Sequence, residues 1–348
     1  MQDFPEISAV LKGRRHVLLA GFMAWAAVLF SSWAVHAFEI TPFETRNQSP
    51  VIQIYGLPPA GSAVVAPRGR GEFHFMLDHS SSFVDEAAAA EQITLDGETT
   101  RLALGGRYGL GRNAEVGIEI PYIYHGGGFL DGFLIDYHNL LGLPQGGRDQ
   151  APRNRLRYQY RRHGVDQLKI ESSGGGLGDI ALSAGVQLYT DGSRYPRAAA
   201  LRAAVKFPTG ESASLLGSGS TDLSLWLSAG DAFELPIGHG SVFGSAGLML
   251  MTDGNILPGQ QADHVAFGSI GAGWKPLNWI AFKVQLDAHT PFYRDSSFEP
   301  LSSNAVQLVM GGTLGLTERT SLDIAVSEDL AVGTSPDVTF HFNVITRF

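Results

Sequence analysis

The sequence predicts an all-β protein, a transmembrane antiparallel up-and-down β-barrel of about twelve strands with short periplasmic turns and longer extracellular loops. Three observations support this. From about residue 70 onward, apolar and polar side chains alternate in strand-length segments. The connections between the segments alternate between short and long. The last segment is apolar on one face and ends on Phe348. Because side chains alternate between the two faces of a strand, such segments suit a wall between lipid and lumen.

The composition argues against helical membrane proteins and nucleic-acid-binding proteins. The chain has 348 residues, no cysteine and a mean hydropathy of +0.02. Outside the N-terminus it has no run of about twenty apolar residues, which a membrane-spanning helix requires. The formal net charge of −9 disfavours nucleic acid as a partner. The lack of cysteine means that the fold needs no disulfides.

Residues 1–37 have the pattern of a signal peptide. A basic segment precedes an apolar stretch over residues 17–35, and small residues at positions 35 and 37 provide a cleavage site. The basic residues are Lys12, Arg14 and Arg15. A membrane anchor is the alternative, but no basic flank follows that would stop transfer. With the barrel prediction, this indicates location in the outer membrane of a Gram-negative bacterium.

Residues 38–68 form the next predicted unit, an N-terminal periplasmic arm or lumen plug. Prolines interrupt this segment, which suits an extended chain outside a sheet; they are Pro42, Pro50, Pro58, Pro59 and Pro67. Arg46, Asn47 and Gln48 offer polar contacts inside a lumen. A loose N-terminal tail is the alternative.

Residues 69–348 form the predicted barrel. Its strands centre on residues 73–77, 102–108, 116–124, 180–188, 201–207, 223–227, 242–251, 265–274, 280–288, 306–316, 322–326 and 338–348. Short turns are predicted at 109–114, 191–196, 230–240, 275–278 and 317–319. Longer outer loops are predicted at 80–98, 125–175, 208–220, 253–263, 290–303 and 328–337. An even strand number with both ends of the barrel in the periplasm fits this class of protein.

The final strand resembles the recognition strand that the barrel-assembly machinery reads in Gram-negative outer-membrane proteins. The residues of this assembly signal share one face of the strand; they are Phe340, Phe342, Val344 and Phe348. The resemblance implies that the assembly machinery is a partner during biogenesis.

Several short motifs together resemble domain-of-unknown-function family 3187. They are Arg46-Asn47-Gln48-Ser49-Pro50, Gly56-Leu57-Pro58, Gly97-Glu98, Gly126-Gly127-Gly128-Phe129-Leu130-Asp131, Gly142-Leu143-Pro144, Gly147-Arg148 and Gly176-Leu177-Gly178-Asp179. The similarity runs over most of the chain after residue 37. It implies an exported proteobacterial envelope protein and transfers no functional residue.

Charged residues of both signs are predicted to line the lumen. They are Arg101, Arg107, Glu115, Glu119, Asp179, Arg202, Lys206, Asp222, Lys283, Asp287 and Asp323. They suit either a wet pore or a lumen closed by mutual ion pairs and the arm. A twelve-strand lumen is narrow enough for side chains to fill much of it, so we do not expect a large open porin.

The long outer loop, residues 125–175, contains two further features. Apolar residues at helical spacing predict a helix over residues 129–141, which we expect to fold inward or over the barrel mouth. Packing without a gating role is the alternative. An outer-loop basic cluster follows, made of Arg148, Arg153, Arg155, Arg157, Arg161 and Arg162. Guanidinium groups suit phosphates, so the cluster would anchor lipopolysaccharide or attract an anionic solute; a solvated hairpin is the alternative.

The function predicted from these features is a narrow channel or transporter for a small or hydrophobic solute in contact with outer-membrane lipid. A non-conducting structural or lipopolysaccharide-interacting barrel is the alternative. A lipid hydrolase comes third. His239 and Ser241 are close in sequence, but a Ser–His pair needs hydrogen-bond geometry and an orienting third group, which three residues cannot show. We therefore expect no enzyme and no cofactor. The scattered histidines predict no metal site.

Overall fold

The computed structural model describes residues 38–142, 147–330 and 333–348, and the predicted signal peptide lies outside them. This part of the chain contains fifteen strands and a twelve-residue helix. The strands are β1 Gly71–Ala87, β2 Glu91–Gly109, β3 Ala114–Gly126, β4 Arg157–Arg162, β5 Val165–Ile170, β6 Gly174–Leu177, β7 Ala181–Thr190, β8 Arg197–Lys206, β9 Asp222–Glu234, β10 His239–Met251, β11 His264–Leu277, β12 Ile280–His289, β13 Ala305–Gly315, β14 Thr320–Asp329 and β15 Val338–Arg347. Helix α1 is Leu130–Leu141, and α2 is a single turn, Glu299–Ser302.

Twelve of these strands close into an antiparallel barrel, which confirms the predicted fold class. Strands β1 to β3 and β7 to β15 each pair with their neighbours along this series. The last strand returns to the first, with Arg347 opposite Glu72 and Val338 opposite Ser81. Closure leaves no unpaired edge within the wall.

The side chains of the wall alternate as predicted. On β12, Phe282, Val284 and Leu286 face outward and are exposed, whereas Lys283 and Gln285 face inward and are buried. The same outward exposure recurs around the wall at Phe73, Phe75, Leu104, Ile118, Leu182, Leu223, Leu225, Val242, Leu248, Ile270 and Met310. This apolar band is the lipid-facing surface of a transmembrane barrel.

The two ends of the barrel differ. Short turns at residues 110–113, 191–196, 235–238, 278–279 and 316–319 mark one end, called the turn end below; the opposite end is the loop end. The predicted loop at 80–98 is wrong. Strands β1 and β2 continue through this region, and the upper part of β2 pairs with β4. The residues of these strands here lack the apolar outward face that marks the rest of the wall, so their sequence has the polar character of a loop.

An apolar cap covers the mouth at the loop end. Tyr158 of β4 and Ile93 of β2 pack in one cluster with Tyr55, Phe292 and Tyr293, all almost fully buried. The hydroxyl of Tyr293 donates to the carbonyl of Val51 at 2.8 Å. Burial raises the pKa of the Tyr293 hydroxyl above its usual range, so it stays a protonated donor. The cap therefore combines apolar burial with a few satisfied polar groups.

Helix α1 lies outside the barrel, so the expectation that it folds inward or over the mouth is wrong. Its buried residues Leu130 and Leu134 pack with Val338 and Phe340, which belong to the outward face of β15. The carboxylate of Glu98, also facing outward, accepts hydrogen bonds from the backbone of the helix N-terminus. The apolar stripe of α1 indicates that one face of the helix packs against an apolar surface. It does not indicate which surface, because the barrel wall has apolar areas on its lumen side and on its outer side. Neither helix in the described part of the chain has the length and apolar character that a membrane span requires.

Candidate functional site

The lumen contains the arm, residues 38–68. Phe38 lies at the turn end, where its carbonyl accepts a hydrogen bond from Lys275 (2.7 Å). The chain then runs toward the loop end, reverses over residues 49–55, and returns along the opposite wall. It leaves the lumen beside β2, where the Gly69 N–H donates to the Gly109 carbonyl at 3.0 Å. The reversal, called the apex below, contributes Val51 and Tyr55 to the cap.

Inward-facing side chains of the wall satisfy the backbone of the arm. An extended, proline-rich segment has no ladder partners, yet buried N–H and C=O groups need hydrogen bonds. Gln285 binds both backbone polar groups of Phe43. On the returning limb, the Gly56 N–H donates to Asp222 at 2.7 Å. Gln187 binds this limb through the Ala63 carbonyl and the Val65 N–H, each at 2.8 Å.

Ten of the eleven residues predicted to line the lumen form ion pairs there. The separations are 2.6 Å for Arg101–Glu119, 2.9 Å for Arg202–Glu115, 3.4 Å for Arg107–Glu115, 2.7 Å for Lys206–Asp179, 3.1 Å for Lys206–Asp222 and 3.0 Å for Lys283–Asp323. Asp287 instead accepts hydrogen bonds from Gln285. Arg46 of the arm joins this network through Glu119 (2.7 Å). Opposite charges thus cancel locally instead of facing an open pore.

One buried cluster in the lumen was not in the predicted set. His74 of β1 contacts Glu44 of the arm through Nδ1 (2.9 Å) and Glu72 through Nε2 (3.1 Å). Arg107 and Arg347 also pair with Glu72. These donor atoms could surround a cation, but two arginines already balance the carboxylates. His74 thus bridges two carboxylates through its two ring nitrogens. Glu72 and His74 alternate with the outward-facing residues of β1, and this alternation is the sequence signal that could have placed them in the lumen.

Cavities remain beside the arm. One of about 130 Å³ lies between the arm and the wall formed by β1 to β3 and β7 to β9. Tyr55, Met76, Ile123 and Trp226 line it together with the paired charges. Two others, of about 170 and 400 Å³, flank Phe38 at the turn end. The space in the lumen is therefore divided by the arm and covered by the cap.

The six arginines of the predicted basic cluster do not share one surface. Arg148 is buried outside the wall between Asp131 and Asp337. Four others belong to the segment around β4 that covers the mouth, and all four pair with acids. The pairs are Arg155 with Asp96 (2.6 Å), Arg157 with Glu171 (3.8 Å), Arg161 with Asp166 (2.9 Å) and Arg162 with Glu91 (3.4 Å). Arg153 is exposed.

Three residues of the predicted assembly signal face outward on β15, and the fourth, Phe348, follows directly after this strand. Phe342 and Phe348 are exposed, and Phe348 stacks on Phe73 with ring centroids 5.0 Å apart. His239 and Ser241, the pair considered for a third candidate function, lie at the start of β10, at the turn end. Ser241 is buried, His239 contacts the ring of Tyr195, and no hydrogen bond among the described residues joins His239 to Ser241.

Comparison with known proteins identifies the family. A family model described as a protein of unknown function, DUF3187, matches residues 18–348. The chain belongs to the DUF3187 family. The search of curated proteins gives no match.

Solved structures share the barrel architecture. An outer-membrane channel from Pseudomonas putida F1 is 12% identical, with 83% of this chain and 98% of that chain covered and a TM-score of 0.54. The translocator domain of the autotransporter NalP from Neisseria meningitidis is 11% identical, with coverage of 80% and 88% and a TM-score of 0.37. The toluene transporter TodX from Pseudomonas putida is 9% identical, with coverage of 88% and 99% and a TM-score of 0.33. The first supports the fold of this DUF3187 protein; the other two scores are too low to add to it.

Proposed function

We propose that this protein is an outer-membrane channel for a small, partly hydrophobic solute and that its arm closes the lumen. The turn end would face the periplasm and the loop end the outside of the cell. The observation that carries the proposal is how the arm is held. Side chains of the wall bind it, whereas all twelve wall strands pair with one another without it. Water can replace such bonds while the wall stays intact.

Movement of the arm toward the turn end would open a continuous path. Residues of the arm line the cavity of about 130 Å³ and both of the larger cavities near Phe38. The apex occupies the centre of the cap, where Tyr55 packs against Phe292 with ring centroids 4.9 Å apart. Withdrawal of the apex would therefore open the lumen and loosen the cap in one movement.

The lining of the inner cavity supports the solute class. Trp226, Tyr55 and Met76 provide apolar surface, and the neighbouring charges are already paired. An apolar or weakly polar molecule would pass without breaking these pairs. The width of a twelve-strand lumen limits the solute to a small molecule.

A non-conducting structural barrel is the second candidate, and the cap favours it. Burial of several aromatic residues at the mouth stabilises a closed end, by about 1.5–3 kcal/mol for each fully buried large side chain. In that case the arm would be a permanent core of the barrel. Neither candidate assigns an enzymatic step to His239 or Ser241.

A disulfide between arm and wall would separate the two candidates. A Cβ atom built at Gly230 of β9 lies 3.4 Å from the Cβ of Ala63, close to the ~3.8 Å usual in disulfides. The sequence contains no cysteine that would interfere. The variant Ala63→Cys/Gly230→Cys would be measured in planar bilayers under an applied voltage, oxidised and reduced, with Ala63→Cys alone as the matched control.

The channel proposal expects discrete conductance steps in the reduced double variant, few or none after oxidation, and no redox effect in the control. Deletion of residues 38–67 should give long-lived openings. Equal conductance in both redox states would show that the arm does not control passage. If no variant conducts, although each gives a heat-modifiable folded band on gels, the structural barrel is favoured.

A further inference from the structure

An apolar groove runs along the outside of the barrel beneath α1. On the wall side it is formed by Leu77 of β1 and Phe342 of β15, and on the helix side by Phe129 and Phe133. Its volume is about 660 Å³, and it opens away from the barrel. All the wall residues that line it face outward, so it is separate from the lumen.

Helix α1 and the residue before it also carry apolar side chains that are largely exposed. Phe129, Phe133 and Leu140 are 71%, 54% and 81% exposed. Their spacing of four and seven residues places them on one side of the helix. Leu77 and Phe342, at the bottom of the groove, continue the lipid-facing band of the wall. The exposed side chains and the groove therefore face the hydrocarbon of the membrane, where burial of such side chains is favourable.

The wall of the groove changes from apolar to polar along its length. Above Leu77, the next outward side chain of β1 is His79, which hydrogen-bonds Thr100 and Glu98 (2.9 Å each). These polar groups mark the upper edge of the apolar band. A molecule that fills the groove would thus have an apolar tail toward the membrane centre and a polar head near His79.

An exposed arginine lies beside the polar end. The backbone N–H of Asn154 donates to Asp131 in the first turn of α1 at 2.7 Å, so the preceding residue, Arg153, lies near that turn. Arg153 is exposed and forms no ion pair within the described part of the chain. The other arginines of the basic cluster are neutralised by acids. Arg153 therefore has a guanidinium available for a phosphate.

We propose that this groove binds one acyl chain of a phosphate-bearing anionic lipid from the leaflet at the loop end, and that Arg153 contacts the headgroup phosphate. The tail lies against Leu77 and Phe342, and it is covered by Phe133 of α1 and by Phe129, the residue before the helix. The inference depends on insertion of the barrel into a membrane and not on conduction of a solute.

Lipid retention by the folded barrel tests the groove. Leu77→Trp fills it, and Phe75→Trp, two residues away on the same outward face but outside the groove, is the matched control. Lipid A and neutral phosphatidylcholine would be titrated into detergent-solubilised protein and counted by native mass spectrometry. We expect wild type and Phe75→Trp to retain one lipid A molecule. Leu77→Trp should require an about tenfold higher concentration of lipid A for the same retention. Phe133→Ala weakens the helix side and gives the same loss if Leu77→Trp does not fold.

The headgroup contact is tested by Arg153→Ala. We expect retention of lipid A to fall about tenfold while retention of phosphatidylcholine stays unchanged. Unchanged retention of lipid A, or an equal fall for both lipids, would overturn the phosphate contact. Equal retention by wild type, Leu77→Trp and Phe133→Ala would overturn the groove as a lipid site. A protein that retains lipid A in this pattern but never conducts would refute only the channel proposal.

Discussion

Gln285 binds Phe43 as a neighbouring strand would. Its side-chain oxygen accepts from the Phe43 N–H at 2.8 Å, and its side-chain nitrogen donates to the Phe43 carbonyl at 3.3 Å. Both residues are buried. A single side chain of the wall thus satisfies both backbone groups of one arm residue, which is how a barrel can hold an extended chain without adding a strand.

Replacement of Gln285 should loosen the arm. Gln285→Ala leaves two backbone groups of Phe43 without partners, and each unsatisfied buried group costs about 1–3 kcal/mol. We expect a lower denaturation midpoint and faster proteolysis within residues 38–48. Gln307→Ala, a buried glutamine on β13 that bonds to Ser327, is the control. Equal effects of the two substitutions would contradict a specific role of Gln285.

The Lys283–Asp323 pair should be strongly coupled. The two side chains are 0% and 1% exposed, and Lys283 also donates to the carbonyl of Thr41 in the arm. Asp323→Asn leaves a buried cation without its partner, and we expect a loss of about 3–5 kcal/mol in the free energy of unfolding. Lys283→Met/Asp323→Asn should recover much of it. Additive effects in this double-mutant cycle would show that the pair is not coupled.

Acid should weaken the hold on the arm at Glu44. Burial alone would raise the pKa of this carboxyl, but His74 and Arg107 lower it from 4.5 to about 2. Because the folded-state pKa is depressed, the stabilisation is present above pH 4.5 and is lost as pH falls toward 2. Proteolysis of the arm by an acid-active protease should therefore increase over this range. In Glu44→Gln the arm should already be cleaved rapidly at pH 5, and the rate of proteolysis should depend less on pH. If the pH profile of proteolysis is the same as in the wild type, Glu44 does not hold the arm.

Glu98 should hold α1 against the wall. Its carboxylate accepts from the backbone N–H groups of Phe129 (2.8 Å) and Leu130 (2.5 Å) at the start of the helix. Loss of such a cap costs about 0.5–2 kcal/mol. We expect Glu98→Ala to speed hydrogen exchange over Leu130–Leu141 without affecting the barrel strands. Glu328→Ala, on the outward face of β14, should leave exchange in α1 unchanged; equal exchange in both variants would rule out this role for Glu98.

The inward positions of the lumen charges could be predicted, but their partners could not. Period-two alternation is a property of each strand alone, so it placed Lys283 and Asp323 inside without knowledge of the rest. Which groups meet depends on strand register and on the path of the arm. Asn47 bonds the ring of His289 at 2.9 Å across 242 residues of sequence. No local sequence pattern can predict a contact between residues so far apart in the chain.

By itself, the sequence determined the wall: strand number, alternating faces, and the alternation of turns and loops all follow from local periodicity and turn composition. Only the tertiary structure decided the positions of the arm and of α1, which lack the period-two alternation of the wall strands. The arm is extended and proline-rich, so its position depends on side chains from both sides of the lumen, such as Gln285 and Asp222. The stripe of α1 fits any apolar surface, and Glu98 and Arg148 direct it to the outer one. These choices depend on contacts between distant residues, which exist only once the barrel has closed.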